Sequence, residues 1–404
     1  MLIKKVKAWK IKNSRNEETI EVMVKADSKE YASAPSGASR GKKEVTAFPK
    51  NGVGEAVGFV NNTLRNKIVG MKIEKFEDIA MVEKILRQYD KTDNWNIIGG
   101  NTVIAVELAL LKAMADGCVW KFLNKDIRHI PRPLGNVVGG GMHTKEKEKI
   151  EFQEFLVISL NAFNITEAIE ANRMVWKLAK SEVKAKDVND EGAWISKLSA
   201  EEILDKLNEI IKRVSKEFTF DLRLGVDIAA SHLFNGKKYI YRDKRLSKKE
   251  QINYVCNLIN KYNLIYVEDP FEESDFRSFS ELTKKVKGRC MVCGDDLICT
   301  NPELLRKAIK NKAINAVIIK PNQVGSILKT KEVVEIAKKN KINIVMSHRS
   351  GETRDAVLSH LAVGFDAPII KCGVFGKERE TKLYELRRIE QQIKAGKAML
   401  QRRF

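Results

Sequence analysis

Long apolar runs are missing from this 404-residue chain. No stretch approaches the roughly 20 residues that a membrane-spanning helix needs, so the sequence offers no span. The opening MLIKKVKAWK lacks the apolar core of a secretory signal, and the expected compartment is the cytoplasm. Cysteine is scarce as well. The six that occur, Cys118, Cys256, Cys290, Cys293, Cys299 and Cys372, are too irregular in spacing for a disulfide framework. Cys290 and Cys293 form a lone CxxC that no second pair answers, so buried, reduced thiols are preferred to a zinc or redox site. Zinc-finger spacings and basic segments interleaved with aromatics are also absent. That lack bears on the charge, which at 73 Lys+Arg against 53 Asp+Glu, a net +20, otherwise points to nucleic acid. Most basic residues are mixed with acids, as in Lys145-Glu146-Lys147-Glu148-Lys149, and only residues 244–249 and the tail 401–404 are locally of one sign. A solvated, lysine-rich surface is therefore preferred. Nucleic-acid binding remains the competing class, and steep loss of RNA binding with salt would be its mark.

What is present describes a globular protein of two domains: 43% hydrophobic and 31% charged residues over a length that is long for one. Residues 3–11 and 19–25 alternate in polarity across a polar turn and read as an antiparallel hairpin. Residues 32–43, ASAPSGASRGKK, are a small-residue loop with two readings, a plain linker or a mobile lid. Residues 55–64, 76–89 and 102–116 have helical periodicity, the last ended by Gly117. These form a small α+β domain, 1–128, with Pro131 and Pro133 marking the boundary. Domain 129–404 opens with two consecutive strands, 134–138 and 155–160, then two consecutive helices, 166–183 and 200–218. Regular alternation of strand and helix starts only at 222–228. Eight strands in all predict an α/β barrel with a ββαα start.

Six of those strands end in a polar or charged residue: Asp227, Glu268, Asp295, Lys320, His348 and Lys371. A barrel gathers its strand ends on one face, so residues distant in sequence converge there. Any one of Asp227, Glu268 and Asp295 alone is more simply a cap or a surface ion pair. The three in register, all oxygen donors, predict a site for a hard cation, Mg²⁺ above others. Lys320 ends an apolar run, against a snorkelling surface position; near a divalent cation its pKa is expected to fall, so that it can act as a base.

Together these motifs resemble the enolases (phosphopyruvate hydratases) over nearly the whole chain. The resemblance rests on SGAS at 36–39, QEF at 153–155, DEG at 190–192, VEDP at 267–270, GDDL at 294–297, KPNQVGS at 320–326, SHRSGET at 347–353 and LRRIE at 386–390. Their order and spacing carry it, and the ββαα start is that family's own irregularity. It implies dehydration of 2-phosphoglycerate to phosphoenolpyruvate through an enediolate. In that scheme Asp227, Glu268 and Asp295 hold one Mg²⁺, and Ser39 on the lid helps to hold a second. Lys320 is the base at C2, and Glu191, supported by Glu154, is the acid at the C3 hydroxyl. Lys371 contacts the substrate carboxylate, Arg349 and Ser350 contact its phosphate, and His143 and His348 complete the site. The resemblance also implies a homodimer or higher even oligomer, with Glu21 paired to Arg388 across a twofold axis. Departures fall in four loops: Asn16-Glu17-Glu18, Arg40, residues 142–149, and Ala193-Trp194-Ile195-Ser196. They leave open a paralogue with the same chemistry on another phosphorylated or carboxylate substrate, or without turnover.

Overall fold

The computed structural model describes residues 1–38, 41–127, 129–140 and 151–401, with side chains up to residue 395. It opens with an antiparallel sheet of β1 (Lys5–Lys12), β2 (Glu18–Lys25) and β3 (Lys29–Ser33), in that order. The expected hairpin is present, with Lys12 opposite Glu18. The third strand was not expected. The chain reverses within a tight turn in which Ala26 N–H donates to the Ser28 carbonyl at 2.9 Å. Ala32 and Ser33, read from sequence as loop, complete this strand. Five residues beginning with Lys-Glu show no useful alternation.

The helix expected over 55–64 is longer. It runs as Val53–Phe59, a π-helical stretch Val60–Leu64, and Arg65–Ile68. The wide turn aims Asn61 at β1, where its side chain bonds both the N–H and the carbonyl of Ala8, each at 2.8 Å. Helix Gly100–Met114 is buried on nearly every side, which is why its composition is apolar all round. It packs against β2 and β3 on one side and against the barrel turn Pro321–Val324 on the other. Asn101 and Asn322 both donate to the Pro35 carbonyl, at 3.1 and 3.0 Å, joining sheet, helix and barrel at one point.

The barrel strands are β4 (Arg132–Gly139), β5 (Glu154–Ser159) and β6 (Leu222–Asp227). After a small ribbon, β7 (Tyr239–Ile240) with β8 (Arg245–Leu246), come β9 (Tyr266–Glu268), β10 (Met291–Gly294), β11 (Ala316–Ile319), β12 (Asn343–Ser347) and β13 (Ile369–Gly373). They close in the order β4-β5-β6-β9-β10-β11-β12-β13. β5 is antiparallel to both neighbours, and every other pairing is parallel. Helices Ile165–Glu182 and Ala200–Phe218 lie between β5 and β6, giving the ββαα start. Strands buried on both faces need unbroken apolar runs, and β5 and β11 are buried at every residue. The surrounding helices begin at side-chain caps: capping boxes at Ser199 and Ser247, and Asn301 before Pro302. Cys290 and Cys293 are buried free thiols. No described helix is long and apolar enough to cross a membrane.

The lumen is filled by Leu134, Leu156, Ile158, Tyr266, Cys293, Ala316, Ile318, Val345 and Ile369, so the mouth above it has a packed floor. Replacing Ile318 by Ala should cost about 2–5 kcal/mol in urea unfolding, because that closed layer cannot collapse into the space. A change below about 1 kcal/mol would show a loosely packed lumen.

Candidate active site

The reversed direction of β5 builds one corner of the site. Strands that run with the barrel bring their last residues to the mouth, whereas β5 brings its first. Glu154 is thereby level with Asp227, and Asp227 with Glu268. Lys371 of β13 enters among them, its Nζ at 2.8 Å from Glu154, 3.0 Å from Asp227 and 2.8 Å from Glu268. All four groups are buried. Burial works to strip the Lys371 proton, but the carboxylates of Asp227, Glu154 and Glu268 outweigh it and hold the ammonium well above its ordinary pKa. The resemblance makes Lys371 a contact of the substrate carboxylate; here the buried acids draw it in among the expected metal ligands. Gln153 Nε2 and the Ala229 N–H also donate to Asp227, at 3.3 and 3.0 Å. Tyr266 Oη donates to Glu268 Oε2 at 2.6 Å. Glu268 Oε1 is buried with no hydrogen-bond partner among the described residues. Burial, then the Asp227 charge, raise the Glu268 carboxyl well above the usual range.

Asp295, just past β10, bonds Lys320 Nζ and accepts from Gln323 Nε2 at 2.9 Å. The expected fall in the Lys320 pKa is not met. Burial pushes it down most, with Arg349 and Lys371 adding to that, but the surrounding carboxylates, Asp295 first and Glu268 after it, together outweigh them, and the pKa lies above the ordinary lysine value. Burial works to raise the Asp295 carboxyl, and the charge and hydrogen bond of Lys320 more than offset it. Asp269 adopts a left-handed backbone, φ 39°, an uncommon conformation for a residue with a Cβ. That turn lets its carboxylate accept the N–H groups of Asp295 and Asp296, at 3.0 and 2.7 Å. Asp296 is pushed up to about 8, first by burial and then by Asp295.

Glu191 sits on the loop between the two long helices and accepts from Asn136 Nδ2 of β4 at 2.9 Å. His348 Nε2 lies 3.7 Å from the same carboxylate oxygen. Burial holds the His348 pKa well below 6.5 against the pull of Glu191, so the ring is neutral near pH 7. Arg349 is gripped by Glu44 at 3.0 Å from both terminal nitrogens, and its Nη1 also donates to Asn322 at 3.0 Å. Ser350 Oγ accepts from the Ala38 N–H at 2.6 Å and from Arg15 at 3.4 Å. Ser36 and Gly351 exchange two backbone bonds of 2.8 Å, tying the start of the SGAS segment to the β12 loop.

One small polar cavity thus brings together Glu154, Glu191, Asp227, Lys320, His348, Arg349, Ser350 and Lys371. Glu268 reaches them through Lys371, and Asp295 through Lys320. Ser39 and His143 lie outside the described residues, as do Arg40 and residues 142–149. Of the other departing loops, Glu17 pairs with Arg15 at 3.0 Å and accepts from Ser36 Oγ at 3.1 Å. Arg15 also reaches Asp190 at 3.5 Å.

The oxygen donors suit a hard cation, although not in the expected grouping. Among the described residues, two sets have ligand atoms within 4.8 Å of one another: Glu154 with Glu191 and His348, and Asp269 with Asp295 and Asp296. Asp227, Glu268 and Asp295 do not form such a set, since Lys371 is drawn to the first two and Lys320 to the third. Carboxylates of Glu44, Glu154, Glu191, Asp227, Glu268, Asp269, Asp295 and Asp296 outnumber Lys320, Lys371 and Arg349, and Glu268 keeps one oxygen unfilled. That excess of clustered carboxyl groups, several held protonated by one another and by burial, fits a divalent cation that would let them ionise. Sequence reasoning passed over Glu44, Asp269, Asp296 and Gln323. The second acids of VEDP and GDDL and the acid after the small-residue loop were the available signals.

Comparison with known proteins adds a family. The model described as "Enolase, N-terminal domain" matches residues 3–122, and "Enolase, C-terminal TIM barrel domain" matches residues 128–402. The chain is 43% identical over 407 residues to a protein named enolase from Methanosphaera stadtmanae, covering 97% of each. It is 42% identical to the enolase of Archaeoglobus fulgidus, covering 97% of this chain and 98% of that one. Against the enolase of Methanothermobacter thermautotrophicus the identity is 41%, with 97% of each covered.

Proposed function

The chain belongs to the enolase family and is a hydro-lyase, and on that premise we propose that it dehydrates 2-phosphoglycerate to phosphoenolpyruvate with Mg²⁺. The observation that carries this reading is the single mouth described above. It holds a mostly buried lysine against one carboxylate, a second carboxyl beside a neutral histidine, and oxygen donors in excess. A proton next to a carboxylate is very weakly acidic, and removing it concentrates charge in an enediolate. Lys320 takes that C2 proton as the free amine, a form that Arg349 and Lys371 favour and Asp295 opposes. Asp227, Glu268 and Asp295 would hold one Mg²⁺ once Lys371 and Lys320 give up their contacts, and Ser39 would help to hold a second; the ions would supply positive charge for the enediolate oxygens. Lys371 orients the substrate carboxylate, and Arg349 and Ser350 hold the phosphate, for which Arg349 must exchange its bonds to Glu44. Glu191, oriented by Asn136, gives its proton to the C3 hydroxyl, which leaves as water as the C2–C3 double bond forms. Glu154 and His348 lie beside that carboxyl, and His143 completes the substrate contacts. Lys320 then returns its proton to solvent, and Glu191 takes one up, which resets both for the next turnover. The reading keeps residues 1–128 as the lid-bearing domain, residues 129–404 as the catalytic barrel, and the cytoplasm as the compartment.

Glu191→Gln tests the division of labour. Dehydration should fall by about 10²–10⁴-fold while exchange of the C2 proton with solvent survives, because proton removal precedes departure of the hydroxyl. Equal loss of both would remove Glu191 from the role of acid.

Assembly as a homodimer belongs to the same proposal. Glu21 is partly buried on β2, and burial raises its carboxyl. Arg388 lies exposed on the last helix, where its Nε donates to Glu385 at 2.9 Å, so it can turn to a partner at small cost. Arg388→Glu should shift sedimentation towards monomer, and adding Glu21→Arg should partly restore the dimer. A wild-type protein that sediments as a monomer at micromolar concentration contradicts the dimer. An Arg388→Glu protein that stays dimeric contradicts the pair.

A further inference from the structure

The loop that carries Glu191 is one of the four places where this chain departs from its family pattern, with Ala193-Trp194-Ile195-Ser196 after Gly192. Trp194 lies flat on Trp176 of helix Ile165–Glu182, ring centres 4.4 Å apart and planes at 21°. The Trp176 ring in turn lies on Phe375, just past β13, at 4.7 Å and 11°. Hydrogen bonds lock the stack to the loop: Trp176 Nε1 donates to the Gly192 carbonyl at 2.9 Å, and Trp194 Nε1 to the Trp176 carbonyl at 2.7 Å. The Trp194 backbone also joins β4, donating to Val137 at 3.1 Å and accepting from Gly139 at 3.0 Å. At the tip, Asn189 Oδ1 accepts the N–H groups of Glu191 and Ala193, both at 3.0 Å. Gly192, at φ 79°, passes so close to Phe375 that a Cβ there would sit 2.3 Å from its carbonyl oxygen.

We propose that Trp176, Trp194 and Phe375 are positioning residues that fix the Glu191 carboxyl against the β4 and β12 side of the mouth. None of the three lines the cavity that holds Lys320 and Lys371. They act through the Gly192 carbonyl and the Trp194 backbone, one step from the acid. A loop held only by its own turn could shift an ångström, which is enough to degrade proton transfer to a leaving group. The Lys320–Asp295 pair lies at the ends of β10 and β11, away from the β4 and β13 backbone that the stack touches, so proton abstraction is insulated from the stack. The kinetic part of this inference rests on the function proposed above.

The test compares Trp176→Ala, Trp176→Phe and Phe375→Ala with wild type. It measures dehydration of 2-phosphoglycerate, exchange of its C2 proton, and backbone amide exchange. In Trp176→Ala, kcat for dehydration should fall by about 10–100-fold with C2 exchange kept within about threefold. Trp176→Phe, which keeps a stacked ring, should recover most of the dehydration. Amides of residues 189–194 should exchange about tenfold faster in Trp176→Ala and Phe375→Ala, while those of β11 stay unchanged. Phe375 is 45% exposed, so its truncation leaves the core intact and stands in should Trp176→Ala not fold. Equal falls in dehydration and C2 exchange, no rescue by phenylalanine, or unchanged protection of 189–194 would each overturn the proposal. If wild type forms no phosphoenolpyruvate, the proposed function falls on that result, and amide exchange still decides whether the stack fixes the loop.

Discussion

Lys320→Ala should leave the barrel folded and abolish exchange of the C2 proton, with dehydration down by at least about a thousandfold. Among the described residues no other amine is placed to replace it, because Lys371, held here by Glu154, Asp227 and Glu268, is assigned to the substrate carboxylate. Removing the lysine leaves Asp295 with Gln323 as its side-chain donor among the described residues, at a cost of about 3 kcal/mol for a broken, mostly buried pair. That is a sizeable part of a typical stability and still below it. Lys320→Arg separates charge from basicity. It restores a cation to Asp295, and the stability with it, but a guanidinium cannot be deprotonated and exchange should stay absent. Stability restored together with activity would show that Lys320 serves only as a counter-ion.

The second large effect is expected at Asp295. Asp295→Asn removes an anionic oxygen from the acidic mouth and takes from Lys320 the charge that most raises its pKa. Mg²⁺ affinity in a calorimetric titration should weaken, and turnover at ordinary Mg²⁺ concentration should fall by about 100-fold or more. The fall is expected although the Lys320 amine becomes easier to free, because losing a ligand charge outweighs a gain in base. Asn keeps the volume and can still accept from Gln323 and Lys320, so the barrel should stay folded, with a thermal midpoint lowered by the loss of the charge pair. A variant with normal turnover and normal Mg²⁺ affinity would take Asp295 out of the metal site.

These variants sit at residues that the sequence made visible for a definite reason. A barrel strand buried on both faces is an apolar run that stops at the mouth, so Asp227, Glu268, Asp295 and Lys320 stand out at the stops. Glu154 escapes that rule. β5 runs the other way and presents its first residue, so only the resemblance of the QEF motif pointed to it. Asp269 and Asp296 stood next to recognised acids, but whether an acid binds a cation or locks a loop depends on partners across strands. The contacts of Lys371 with three acids, and of Arg349 with Glu44, join residues too distant in sequence for local pattern to show. The same holds for Trp176, Trp194 and Phe375, each of which reads alone as an ordinary core or surface aromatic. In the N-terminal domain, β3 and the π-helical turn at Val60–Leu64 were missed because five residues carry too little periodicity to register.

The most direct test of the account is formation of phosphoenolpyruvate from 2-phosphoglycerate by the purified wild-type chain, followed with Mg²⁺ and again after chelation. The account predicts turnover that rises with Mg²⁺, stops with chelator and returns when Mg²⁺ is restored. A folded protein that forms no phosphoenolpyruvate at any Mg²⁺ concentration would contradict it.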